Sequence, residues 1–218
     1  GFGQRGDRKA WPAEVSHEMD ERLRNFLDAL KKENDPLRKA LGVVAVLTEA
    51  LEPEGIRPIL VGGVALEFYT LGGYATKDID LVASSREKLK TVLEMLGFTR
   101  RMGERHWYST EFDVAIEIPD EILAGSPEKL TVVEIGGKNV YIIGVEDLII
   151  DRLSAAKFWQ SQSDLEWAVK ILALHAEDID FDYLKKAAQE HDVEDILKEA
   201  IKESEGLKAL EEAQRPDI

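Results

Sequence analysis

The sequence predicts an α+β protein, and three observations predict it. Apolar residues recur at helical spacing on both flanks of the chain, over residues 17–51 and again over 146–203. Between them lie short runs of Ile, Val and Leu, and one of these alternates with acids at a period of two, as a strand with one buried face requires. Glycine pairs at Gly62-Gly63, Gly72-Gly73 and Gly136-Gly137 punctuate that middle stretch. The chain therefore divides into residues 1–54, a tail and helices; 55–144, a strand-bearing core; and 145–218, helical throughout.

Composition narrows the chemistry. The chain has 218 residues, enough to bury a core. Its formal net charge of −15 argues against a general nucleic-acid binder, since Lys and Arg contacts to phosphate dominate such affinity. A local basic patch is still compatible, and Arg100, Arg101 and Arg105 cluster shortly after Lys88 and Lys90. There is no cysteine, which removes disulfides and thiolate ligands and is consistent with a reducing, cytoplasmic setting. His17, His106, His175 and His191 are dispersed, so any metal is expected to be a hard ion bound through oxygen. No apolar run approaches the roughly 18 residues of a membrane helix, and no membrane partner is expected. Residues 1–9 lack the apolar centre of a signal peptide and are expected to be a processed, mobile end.

Taken in order, a first helix starts at residue 17 behind Ser16 as N-cap, with Met19, Leu23, Phe26, Leu27 and Leu30 on one face. Asn34-Asp35-Pro36 ends it and opens a second, because Asp caps and Pro suits the first helical position. Leu37, Leu41, Val44, Leu47 and Leu51 form its stripe. A strand is expected over 56–61, with Pro58 marking an edge or a start, and Gly62-Gly63 turns it into a short helix over 64–69. A strand over 77–83 carries Asp78 and Asp80; Ser84 or Ser85 then caps a helix over 86–96, with Gly97 at C′. Short strands follow at 98–101, 106–109 and 112–118. In the last, Phe112, Val114, Ile116 and Ile118 alternate with Asp113, Ala115 and Glu117. Residues 119–129 read as an irregular connection, and 132–143 as a hairpin around Gly136-Gly137. Helices are expected at 146–159, after Ser163 as a cap, at 180–191 and at 193–203, with fraying from Gly206.

The chemistry concentrates in residues 59–82. On a strand, Asp78 and Asp80 share a face, and two carboxylates crowded there repel unless a divalent cation lies between them. The glycine turn before a helix is a phosphate-receiving arrangement: glycine lets an anion approach the backbone, and the helix start offers unpaired N–H groups. A third carboxylate from the strand over 112–118, Glu117 or Asp113, would complete a metal site. Trp107, Trp159 and Trp167 read as core residues or as base-stacking ones.

Gly62-Gly63, then Asp78-Ile79-Asp80-Leu81, then a later acidic strand position resembles the minimal nucleotidyltransferase superfamily, related in fold to the DNA polymerase beta palm. The run from Thr76 to Val82 is similar to that of uncharacterised prokaryotic members and of nucleotidyltransferase-like toxins of toxin–antitoxin systems. Gly144-Val145-Glu146-Asp147, with Asp151-Arg152 after it, resembles the start of their helical segment. Lys157 followed by Asp164-Leu165-Glu166 resembles their Lys and Asp elements. The match spans roughly residues 59–174. It implies a nucleotidyltransferase fold, a mixed β-sheet flanked by helices, and Mg²⁺-dependent transfer of an NMP from an NTP such as ATP to an acceptor hydroxyl, with Mn²⁺ as a substitute. It implies Asp78, Asp80 and Glu117 as metal ligands, with Asp113 the competing third acid. Gly62, Gly63, Lys77, Arg152, Lys157 and Asp164 would lie about the nucleotide, Asp164 holding Lys157. Gly-Gly-Val stands where the family often has Gly-Ser, which removes a hydroxyl from the phosphate site. The acceptor stays open among a protein side chain, an RNA 3′ end and a small molecule such as an antibiotic. A cognate antitoxin is the implied protein partner, and a non-catalytic binding module is the competing reading.

Overall fold

The computed structural model describes residues 17–213, with side chains over 23–210. Two helices lead: α1 (His17–Lys32) and α2 (Pro36–Leu51). Asp35 caps α2 by accepting the Arg38 N–H at 2.9 Å, and Pro36 fills the first helical position. The two helices pack closely at Gly42, where a Cβ would fall 2.2 Å from Leu30 Cδ2. Ser16 and residues 1–9 lie outside the described residues.

Six strands make one sheet: β1 (Ile59–Val61), β2 (Asp78–Val82), β3 (Trp107–Ser109), β4 (Val114–Glu117), β5 (Thr131–Ile135) and β6 (Lys138–Ile142), in the order β3-β4-β2-β1-β6-β5. β2 and β4 run parallel and β3 and β4 antiparallel, so the sheet is mixed, as the resemblance implies. Parallel pairing needs a long crossover, and α4 (Arg86–Met95), capped by Ser85, lies within it. β5 and β6 meet at Gly136-Gly137, whose φ values of 60° and 78° are the left-handed pair that a two-residue hairpin favours. The other helices are α3 (Gly62–Tyr69), α5 (Val145–Phe158), α6 (Gln162–His175), α7 (Phe181–Glu190) and α8 (Glu194–Ala213).

The chain forms two compact units. The first takes residues up to 60 together with 76–122 and 132–141, and so holds α1, α2, α4 and the body of the sheet. Val44, Leu47, Leu51, Leu60, Ile79, Leu81 and Ile116 are fully buried in it. The second takes 61–75, 123–131 and 142–218, and so holds α3 and α5 to α8 around Leu66, Leu148, Ile149, Leu153 and Leu184. A buried polar knot fastens this unit. Asp147, at the start of α5, accepts the Ser126 N–H at 2.8 Å and the Tyr183 hydroxyl at 2.6 Å, and Glu146 accepts the Asp180 N–H at 2.8 Å.

Several elements differ from expectation for local reasons. β1 starts at Ile59 because Pro58 has no N–H to give a neighbouring strand. Residues 98–101 make a single bridge, Thr99 to Tyr108, rather than a strand. The strand expected over 112–118 shrinks to Val114–Glu117, since Asp113 sits at φ 53° and breaks the pleat. Ser161, not Ser163, caps α6 by accepting the Asp164 N–H. The tail does not fray at Gly206: α8 runs through it to Ala213, and the Leu, Lys, Ala and Glu that follow are strong helix formers.

Candidate functional site

The acids of interest lie in the first unit, and strand register brings them together. In the parallel pair, Asp78 stands opposite Ala115, Ile79 opposite Ile116 and Asp80 opposite Glu117. Ile79 and Ile116 are fully buried, so the alternate residues Asp78, Asp80 and Glu117 share the outer face. On the far side of β4, Tyr108 stands opposite Ala115. Two rows therefore cross this face: Tyr108, Ala115, Asp78, and then Glu117, Asp80. Ala115 keeps the first row short between a tyrosine and an aspartate.

His106, one residue before β3, completes the second row. Its Nε2 lies 3.3 Å from Glu117 Oε2, and Arg105 Nη1 lies 3.9 Å from Glu117 Oε1. Three carboxylates are hard oxygen donors of the kind Mg²⁺ takes, so the set suits such an ion in chemistry and register. Among the described residues, however, no three Asp, Glu or His side chains are gathered into a cage, and the Glu117 side chain is turned toward His106 and Arg105.

Asp113, the other candidate for the third acid, stands just before the paired residues of β4. It lies off the strand and bonds Lys77 at 2.5 Å and the Tyr108 hydroxyl at 3.2 Å. The hydrogen bond from Lys77, then that from Tyr108, holds its carboxyl below the usual carboxylate range, and the same contact raises Lys77. Lys77 is thus paired with Asp113 across the surface.

The glycine turn and the helical candidates lie in the second unit. Gly62 enters α3 at φ 62°, a conformation glycine adopts without strain, and Val61 provides no side-chain cap. With Val61 at the N-cap, the first N–H groups of α3 receive no cap from that residue's side chain. Gly63 follows as the next residue of that turn.

On α5, Arg152 bonds Asp151 at 2.5 Å and Asp164 of α6 at 2.8 Å. Burial works against the Arg152 charge, and the two carboxylates outweigh it, so its pKa stands above the ordinary arginine value. Asp164 holds Arg152, then, and not Lys157. Lys157 instead donates to the Asp192 carbonyl at 2.6 Å and to Asp195 at 2.9 Å, partners supplied by the end of α7 and the start of α8.

Sequence reasoning missed His106 and Arg105 on Glu117; extending the period of two back from Tyr108 would have placed His106 on the acid face. It also missed the aromatic contact of Trp167 with Tyr74, edge to face at 5.3 Å, with Lys170 over the Trp167 ring at 4.9 Å. Of the other tryptophans, Trp107 is core at 6% exposure and Trp159 is 84% exposed.

Comparison with known proteins extends this picture. No curated protein matches the chain. Among solved structures, an antigenic nucleotidyltransferase-like protein from Paracoccidioides brasiliensis aligns at 17% identity over 78% of this chain and 93% of its own, with a TM-score of 0.49. The antibiotic-resistance factor ANT(2'')-Ia aligns at 18% identity over 81% of this chain and 98% of its own, with a TM-score of 0.38. The model of the family described as uncharacterised nucleotidyltransferase matches residues 4–204, nearly the whole chain and both units of the fold, and the protein belongs to that nucleotidyltransferase family.

Proposed function

We propose that this nucleotidyltransferase moves an NMP from an NTP to an acceptor hydroxyl with Mg²⁺ bound by Asp78, Asp80 and Glu117, Mn²⁺ serving as a substitute. One observation carries the reading: the β2–β4 register sets Asp80 opposite Glu117 with Asp78 on the same face. A divalent ion there would offset the mutual repulsion of the carboxylates and neutralise charge on the transferring phosphate. Glu117 would serve as a ligand in place of its contacts with His106 and Arg105, which are solvent-facing and weak. Within the second unit taken by itself, the turn at Gly62 and Gly63 offers backbone N–H groups suited to phosphate oxygens, and Arg152 is steadied by Asp164. Lys77 is paired with Asp113 and Lys157 with Asp195.

The test is label transfer from an α-labelled NTP, with pyrophosphate release measured alongside. Asp80→Asn and Glu117→Gln should each reduce release by at least about a hundredfold, the scale of losing a group that stabilises transition-state charge. Asp113→Asn should retain release within a few fold. Release retained by Glu117→Gln and lost in Asp113→Asn would remove Glu117 from its role and give it to Asp113. No metal-dependent NTP binding by the wild type would leave the fold as a non-catalytic binding module.

A further inference from the structure

The segment beside the acid face reverses the charge of the chain. Residues 99–108 form a hairpin in which Thr99 and Tyr108 exchange backbone hydrogen bonds of 2.9 and 2.8 Å. Its tip is a turn closed by the Glu104 N–H on the Arg101 carbonyl at 3.1 Å, with Gly103 at φ 86°. Residues 99–106 are all exposed, and they set Arg100, Arg101 and Arg105 against Glu104 in a chain whose net charge is −15. Arg100 is propped over the buried Trp107 ring at 5.4 Å, which orders its guanidinium, and its charge also acts on Glu87 of α4. Arg105 and His106 then reach Glu117, so the cationic hairpin adjoins the proposed metal ligands within the same unit. Tyr108, 44% exposed, presents its ring in the row that leads through Ala115 to Asp78.

We propose that this hairpin is the acceptor-binding surface and that the acceptor is single-stranded RNA, its phosphates on Arg100, Arg101 and Arg105 and its 3′ hydroxyl directed to the acid face. The inference rests on the nucleotidyl-transfer reading. An acceptor for that reaction must bring a hydroxyl to carboxylates and, here, negative charge to three arginines. An RNA 3′ end carries both, with a phosphate at every nucleotide and a base for the Tyr108 ring. A polycationic antibiotic would be repelled by the same arginines. In the transfer, the 3′ oxygen bonds to the α-phosphorus and the bond to the bridging oxygen breaks. Pyrophosphate leaves with that electron pair, and the hydroxyl proton passes to water.

Fluorescence polarisation of an end-labelled single-stranded RNA of about ten nucleotides, with a free 3′ hydroxyl and no NTP present, tests this. Over about 50 to 200 mM salt, three phosphate contacts give a slope of log affinity on log salt near −2, at roughly 0.7 per contact for single strands. Arg101→Ala should make that slope shallower by about 0.7, and Arg101→Glu should weaken binding further. The triple variant Arg100→Ala, Arg101→Ala, Arg105→Ala should lose binding at least about tenfold at the lower salt. These side chains are exposed, and an unchanged melting temperature verifies that each variant is folded.

Absent RNA binding, a slope indifferent to Arg101, or equal binding of a polyglutamate peptide overturns the inference. Failed RNA binding with label still passing to another acceptor overturns it alone. Arginine-dependent RNA binding with no pyrophosphate release upholds the surface and overturns the transfer reading.

Discussion

Asp78→Asn should stabilise the metal-free protein and abolish its gain from metal and nucleotide, two effects of opposite sign from one substitution. Asp78 and Asp80 lie one pleat pair apart on β2, about 6.5–7 Å along the strand. Two like unit charges at about 7 Å repel by roughly 0.6 kcal/mol in water and roughly 2.4 kcal/mol at an effective dielectric of 20. Asp78 is exposed and Asp80 half-buried, which places the repulsion toward the lower end, about 0.5–1 kcal/mol. For a chain of this length that is a rise in Tm of about 1–4 °C. The backbone N–H of residue 78 keeps its acceptor, Thr76 Oγ1 at 3.1 Å, so the change acts on charge alone. Mg²⁺ and a non-hydrolysable NTP at about a hundred times Kd should add roughly 2.7 kcal/mol to the wild type, or about 5–11 °C, and the variant should lose most of it. Melts at low ionic strength in chelator, in Mg²⁺ alone and in Mg²⁺ with nucleotide read both effects. A lower Tm in chelator would show that Asp78 is held by favourable contacts, and an undiminished nucleotide shift would remove it from the metal set. Either result refutes the reasoning.

Other perturbations address the rest of the scaffold. Gly62→Ala places a Cβ in the left-handed region at φ 62° and should cost about 1–2 kcal/mol in urea unfolding, with nucleotide-dependent stabilisation lost as well. Asp147→Ala leaves the Ser126 N–H and the Tyr183 hydroxyl without their acceptor at a position 4% exposed, and should cost about 2–5 kcal/mol by denaturant titration. Burial first, then the Glu146 and Asp147 charges, pushes the Tyr69 phenol up to about 12, while its bond to Thr131 works the other way. The unfolded phenol titrates near 10, so stability should hold below about pH 10 and fall by roughly 2–3 kcal/mol between pH 10 and 12. Tyr69→Phe should flatten that alkaline slope, and a slope unchanged in the variant would assign it to another group.

What the sequence could and could not disclose follows from the range of each interaction. The Asp35 cap, the Gly136-Gly137 hairpin and the shared face of Asp78 and Asp80 depend on neighbours within a few positions, and a local pattern is enough to read them. The third acid is different. Alternation alone sets Asp113 and Glu117 on one face, and what separates their surroundings is a contact across 36 positions, Lys77 to Asp113, that accompanies the left-handed turn at residue 113. Arg152 and Lys157 show the same limit. Both lie on α5 within reach of many acids in the sequence, and packing gave Asp164 to the first and Asp195, 38 positions away, to the second. The acid face is a product of register. Slipping β4 by one residue against β2 would bring Ile116 or Ile118 opposite Asp80 and turn Glu117 into the core, at the expense of burying a carboxylate. The apolar residues Val114, Ile116 and Ile118 oppose that slip. The hydrophobic pattern that folds β4 is therefore also what aligns Glu117 with Asp80, and the site's geometry needs no interaction between the acids themselves to assemble it.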